Sequence, residues 1–71
     1  MAAHSFPDLT GRLIEGQDLS RAQAQWAMDE VMGGNTSPVQ LAGFLVALRA
    51  KGESVAEIRG LAASMLHHAV P

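Results

Sequence analysis

A chain of 71 residues makes at most one small domain, and without cysteine it has neither disulfides nor thiolate metal sites to make up for a small core. Its 48% apolar content is that of a folded protein, and one Trp, two Phe, four Met and no Tyr set an aliphatic, methionine-rich interior. A formal net charge of -2 with no Lys/Arg cluster argues against a nucleic-acid or anionic-membrane partner, and the longest apolar run, Leu41 to Leu48, is too short to span a bilayer.

The N-terminus has no basic segment followed by an apolar one, so the cytoplasm is the expected location. Glycine breaks and a recurring serine signal divide the chain into four helices, and no alternating β-branched stretch competes. The expected fold class is all-α, a small four-helix bundle-like domain over residues 1–71. The first helix is capped by Ser5, carries Pro7 and Asp8 in its first turn, and presents Leu9, Leu13 and Ile14 as a narrow apolar stripe before Gly16 ends it. At this length it needs packing to persist.

Gln17-Asp18-Leu19 reads as a connection, and Ser20 caps a second helix whose inner face is Ala24, Ala27, Met28, Val31 and Met32. Gly33-Gly34 stops it. Trp26 falls roughly opposite Ala24 at about 100° per residue, which predicts that it points away from the four-helix core, toward a further domain. Asp29 and Glu30 sit where the helix dipole opposes negative charge; a contact with something basic is one reading and a solvated pair the simpler one.

Ser37-Pro38-Val39-Gln40 is the strongest helix start in the chain. The third helix then has two apolar faces, one of Leu41, Phe44, Leu45 and Leu48 and one of Val39, Gly43, Val46 and Ala50. Four short helices cannot cover both, so Val39, Gly43, Val46 and Ala50 form a candidate interface. Arg49 and Lys51 suit the C-terminal dipole, and Gly52 ends the helix. Ser54 and Glu57 form a second capping box, followed by Ile58, Leu61, Ala62, Met65 and Leu66 at helical spacing.

Candidate chemistry is thin. His67 and His68 diverge by about 100° on a helix and read as dipole partners or surface residues, and His4 lies in a terminus expected to fray. Gly33-Gly34-Asn35-Thr36 has no P-loop lysine and follows no strand, so it reads as a helix cap rather than a phosphate loop. Ser5, Ser20, Ser37 and Ser54 are caps rather than nucleophiles. The reading assigns no catalytic, cofactor-binding or metal residue.

Taken in order, Gly16-Gln17-Asp18-Leu19-Ser20, Met28-Asp29-Glu30-Val31-Met32-Gly33-Gly34, Ser37-Pro38-Val39-Gln40-Leu41-Ala42-Gly43-Phe44-Leu45 and Ala47-Leu48-Arg49-Ala50-Lys51-Gly52-Glu53-Ser54 resemble the N-terminal helical domain of anthranilate phosphoribosyltransferases. Pyrimidine nucleoside phosphorylases have a similar helical domain and are the nearest alternative. The resemblance implies the N-terminal part of a larger two-domain enzyme, in which this domain supplies homodimer contacts and closes over the cleft beside a large α/β domain. It implies transfer of a phosphoribosyl group from phosphoribosyl pyrophosphate to anthranilate in tryptophan biosynthesis, with magnesium on the pyrophosphate. The family's glycine-rich pyrophosphate loop, Lys-His-Gly-Asn segment and acidic magnesium site do not occur in these 71 residues, so the chain by itself is expected to be inactive. A free-standing helical interaction module, pairing through the same third-helix face, is the rival from another class.

Overall fold

The computed structural model describes residues 4–69. Four helices follow one another, α1 (Phe6–Ile14), α2 (Arg21–Met32), α3 (Pro38–Lys51) and α4 (Val55–Ala69), and the fold is all-α. Each serine predicted as a cap is one: Ser5, Ser20, Ser37 and Ser54 Oγ accept from the backbone N–H of Asp8, Gln23, Gln40 and Glu57 at 3.1–3.3 Å. Two boxes are reciprocal, because the Gln23 side chain returns a bond to Ser20 N–H and the Glu57 carboxylate to Ser54 N–H, both at 2.8 Å.

The first two helices end in the same way. Gly16 and Gly34 adopt left-handed φ values of 82° and 76°. The chain then turns back so that Gln17 N–H reaches the Arg12 carbonyl and Asn35 N–H the Glu30 carbonyl, each at 2.9 Å. This accounts for Gly33-Gly34-Asn35-Thr36 as a cap.

Packing is pairwise, α1 against α3 and α2 against α4. Phe6, Leu9, Leu13, Ala27, Phe44, Ala47 and Leu48 form the buried core together with Leu19, which closes the bottom from the α1–α2 connection. The Phe6 and Phe44 rings meet edge to face at 5.4 Å, a geometry that adds about 0.5–1.5 kcal/mol to burial. The α2–α4 pair works differently, through near-contact of backbones. A Cβ at Gly60 would collide with the Arg21 carbonyl and lie 2.9 Å from both Ala24 Cβ and Gln25 N. Only glycine lets α4 come this close to α2.

Several faces differ from the sequence reading. Ile14, Met32 and Leu45 are exposed rather than buried, and Ala47 takes the inner position beside Phe44. In α4 the inward residues are Glu57, Gly60 and Ser64. Of the expected stripe only Leu61 turns partly inward, while Ile58, Ala62, Met65 and Leu66 face outward. The close α2–α4 approach demands small residues at the crossing, and that requirement overrides the apolar periodicity.

Trp26 is also corrected. It does not point away from the core: the indole is half-buried against it, 5.2 Å from the Phe6 ring and 5.5 Å from His4. The reason is that α2 has neighbours on two sides, Ala24 facing α4 and Trp26 facing α1. His4, expected to fray, thus has an aromatic neighbour.

Candidate functional site

On α3, residues three and four apart stand on successive turns, so Gly43, Val46 and Ala50 share one face. With Ala42, Ala47 and the end of α1 at Leu13, Ile14 and Gly16 they line an open apolar groove of about 670 Å³ that stops at Lys51. A smaller hollow of about 200 Å³, lined by Phe6, Pro7, Thr10, Val39, Gln40 and Gly43, continues it past Gly43. Val39 and Val46 are 83% and 68% exposed, and nothing among the described residues covers them. All four α3 candidates therefore line one surface, whereas Trp26 lies apart from it, covered by α1.

The closed end of the groove is a polar knot that the sequence reading missed. Lys51, whose side chain is 6% exposed, donates to Asp18 Oδ1 at 2.7 Å, to Glu57 Oε1 at 2.9 Å and to the Gly52 carbonyl at 2.7 Å. Glu57 is wholly buried; its Oε1 also accepts Ser54 N–H, and its Oε2 accepts Leu19 N–H at 2.6 Å. One carboxylate thus caps α4, anchors the α1–α2 connection and neutralises the last residue of α3. The capping-box spacing of Ser54 and Glu57 was legible, but the partners from 33 and 38 residues away were not.

Burial pushes the Glu57 carboxyl up, but the bonds from Leu19, Ser54 and Lys51 outweigh it and hold the group below its ordinary value. Burial likewise pulls Lys51 down, and the bonds to Asp18 and Glu57 outweigh it and raise the ammonium above its ordinary value. Stability from Glu57 is therefore fully present above pH 4.5 and lost as pH falls through the depressed value in the fold. Stability from Lys51 is present below pH 10.5 and lost as pH rises through its elevated value. Melting followed by circular dichroism is expected to show a loss on the acid side that Glu57→Gln blunts; an acid loss of unchanged size in that variant would assign it elsewhere.

A second cluster joins the far ends of α2 and α4. Asp29 Oδ1 accepts the Ser64 hydroxyl and, at 3.2 Å, the His68 Nε2–H. The Ser64 bond chiefly holds the Asp29 carboxyl below its ordinary range, with burial opposing and His68 assisting. Asp29 thus has partners, in place of the solvated state taken as the simpler reading. The trio is no nucleophilic relay, because the carboxylate stands between hydroxyl and imidazole, whereas a serine nucleophile needs the imidazole against its hydroxyl. Ser64 is moreover fully buried.

Among the described residues no three His, Asp or Glu side chains converge as metal ligands. The carboxylates that are buried or bridged are already engaged by Lys51, Ser64 and backbone N–H groups. No helix among the described residues is long and apolar enough to cross a membrane. What the molecule offers is a neutral apolar surface with a sealed polar end.

A sequence profile for the glycosyl transferase family, helical bundle domain, matches residues 7–69. The chain is 53% identical over 70 residues to an anthranilate phosphoribosyltransferase of Arthrobacter sp. (strain FB24), an alignment covering 99% of this chain and 20% of that protein. It is 50% identical over 70 residues to the enzyme of that name from Thermobifida fusca (strain YX), with the same coverage. To that from Streptomyces griseus subsp. griseus it is 51% identical over 69 residues, covering 97% of this chain and 20% of the relative. The chain thus spans about one fifth of the length of these curated relatives.

Proposed function

From the premise that this chain belongs to the glycosyl transferase family as its helical bundle domain, we propose that it serves as the N-terminal helical domain of an anthranilate phosphoribosyltransferase. In this role the α3 face of Val39, Gly43, Val46 and Ala50 joins two subunits, and the domain closes over a cleft formed with an α/β domain. The reaction is transfer of the phosphoribosyl group from phosphoribosyl pyrophosphate to the amino group of anthranilate. The near 50% identity along almost the whole chain to relatives of that name carries the reading.

The described residues do not fit a magnesium site: no three His, Asp or Glu side chains converge among them, and both oxygens of the buried Glu57 are taken up by Lys51, Ser54 and Leu19. The reading puts magnesium and the reacting groups in the remaining four-fifths of such an enzyme, and gives the helices association and closure. The apolar groove supports the association role: a neutral surface of this kind in a monomer marks a contact with another protein surface. The domain acts in the cytoplasm, where such a biosynthetic enzyme works.

The test is a chimaera in which this chain replaces the corresponding fifth of the Arthrobacter enzyme. Turnover of anthranilate is expected from the chimaera and none from the 71-residue chain alone. A folded but inactive chimaera, or turnover by the chain alone, would reject the assignment. Separately, Val46→Glu sets an unpaired carboxylate in the middle of the α3 face and is expected to shift the chain to monomer in light scattering. An assembly of unchanged mass would remove this face from the interface.

A further inference from the structure

Each helix pair is fastened within itself. In α1–α3 the Phe6 and Phe44 rings meet edge to face; in α2–α4, Gly60 brings the backbones together and the Ser64 hydroxyl reaches Asp29. The seam between the pairs is built unevenly. Phe6, Leu9, Leu13, Phe44 and Leu48 fill it from the α1–α3 side, while α2 and α4 answer with buried Ala27 and only partly buried Trp26, Val31 and Leu61.

Polar links across the seam are gathered at one end. Among the described residues, every side-chain hydrogen bond that ties one pair to the other belongs to the knot of Lys51 and Glu57, which also holds the α1–α2 connection through Asp18 and Leu19. The chain segments 17–20 and 52–54 run there as well. At the opposite end only the segment 33–37 passes from one pair to the other, and its Thr36 hydroxyl is buried with no protein partner. A hydroxyl in that state favours any motion that lets water reach it.

We propose that the domain is hinged, the α1–α3 and α2–α4 pairs being two stiff bodies that pivot about the Lys51–Glu57 knot and part at the end that holds Thr36. The knot suits a pivot, because an ammonium is a compact charge with rotatable donors and keeps its bonds through a rotation. The far end has no polar bond between the pairs to break. Resting on the reading of an associating and closing domain, the hinge divides those roles. The α3 face stays with the surface it meets, and α2–α4 swings.

The absence of cysteine allows nitroxide labels to be placed in pairs at exposed positions, with unlabelled chain in excess so that only intramolecular distances are read. Dipolar spectroscopy is expected to give Asp8→Cys/Met65→Cys, across the far end of the seam, a distance distribution about twofold or more broader than pairs within one body. Those in-body pairs are Asp8→Cys/Gln40→Cys and Met32→Cys/Met65→Cys. Arg49→Cys/Arg59→Cys, across the seam beside the knot, is expected to be as narrow as they are. Thr36→Val is expected to narrow the far-end distribution at unchanged helix content, since it removes the hydroxyl that gains water on opening. A far-end distribution as narrow as those within the pairs means one rigid body and overturns the hinge. Equal breadth at the knot overturns the pivot, and a Thr36→Val chain of unchanged breadth overturns the role given to that hydroxyl. None of these results touches the association reading, which Val46→Glu tests separately.

Discussion

Glu57→Ala is expected to leave the chain close to its unfolding midpoint in water at 25 °C. The substitution strands the Lys51 ammonium with only exposed Asp18 and the Gly52 carbonyl, and orphans the N–H groups of Leu19 and Ser54. Breaking a buried pair from one side costs about 3–5 kcal/mol, against roughly 4–10 kcal/mol for the whole stability of a domain this long. Urea unfolding followed by circular dichroism checks it, with Glu53→Ala as control, since among the described residues Glu53 pairs only with exposed Arg49, at 3.9 Å. Equal midpoints for the two variants would show that the knot contributes no more than a surface pair. Glu57→Gln, which keeps an acceptor oxygen but no charge, is expected to fall between.

The second large effect is a reversal of sign. Alanine in place of a helix-interior glycine ordinarily stabilises by about 0.5–1 kcal/mol, and Gly43→Ala should do so in the monomer. Gly60→Ala is expected to destabilise by about 2–3 kcal/mol, because the added methyl meets backbone atoms of Arg21 and Gln25 that cannot rotate aside. Gly60→Val should be worse still, forcing α4 away from α2 and opening the Ser64–Asp29 bond. Thermal melts of the Gly43 and Gly60 alanine variants at low protein concentration give the comparison. A stabilising Gly60→Ala would mean that the two helices are not in backbone contact.

The elements were legible because caps are local. A serine, a residue three positions later and a terminal glycine decide a helix boundary within one turn, so each expected start and stop lies within a residue or two of the structure. Faces are not local. Ile58, Met65 and Leu66 have the spacing of a buried stripe, yet in this chain they are exposed. The true inner face, Glu57, Gly60 and Ser64, has the same helical spacing but is polar or small, and a reading that weighs apolarity alone passes over it. Leu19 was hidden for a related reason, since a single apolar residue in a connection has no period to announce it. The α3 surface was legible because a second apolar stripe is a surplus that can be counted before any partner is known. Ile14 could not be told from Leu13, its neighbour on the same stripe, until α1 had been set against α3.

The lone tryptophan gives the molecule a built-in optical reporter. Trp26 belongs to the α2–α4 pair but rests on Phe6 of the α1–α3 pair, and with no tyrosine in the chain its emission is unmixed. Its wavelength registers whether the two pairs are seated on one another, whereas far-ultraviolet dichroism registers only whether helices exist. A state in which the pairs separate while each stays helical would red-shift the indole without changing the dichroism, and so would be visible without any label.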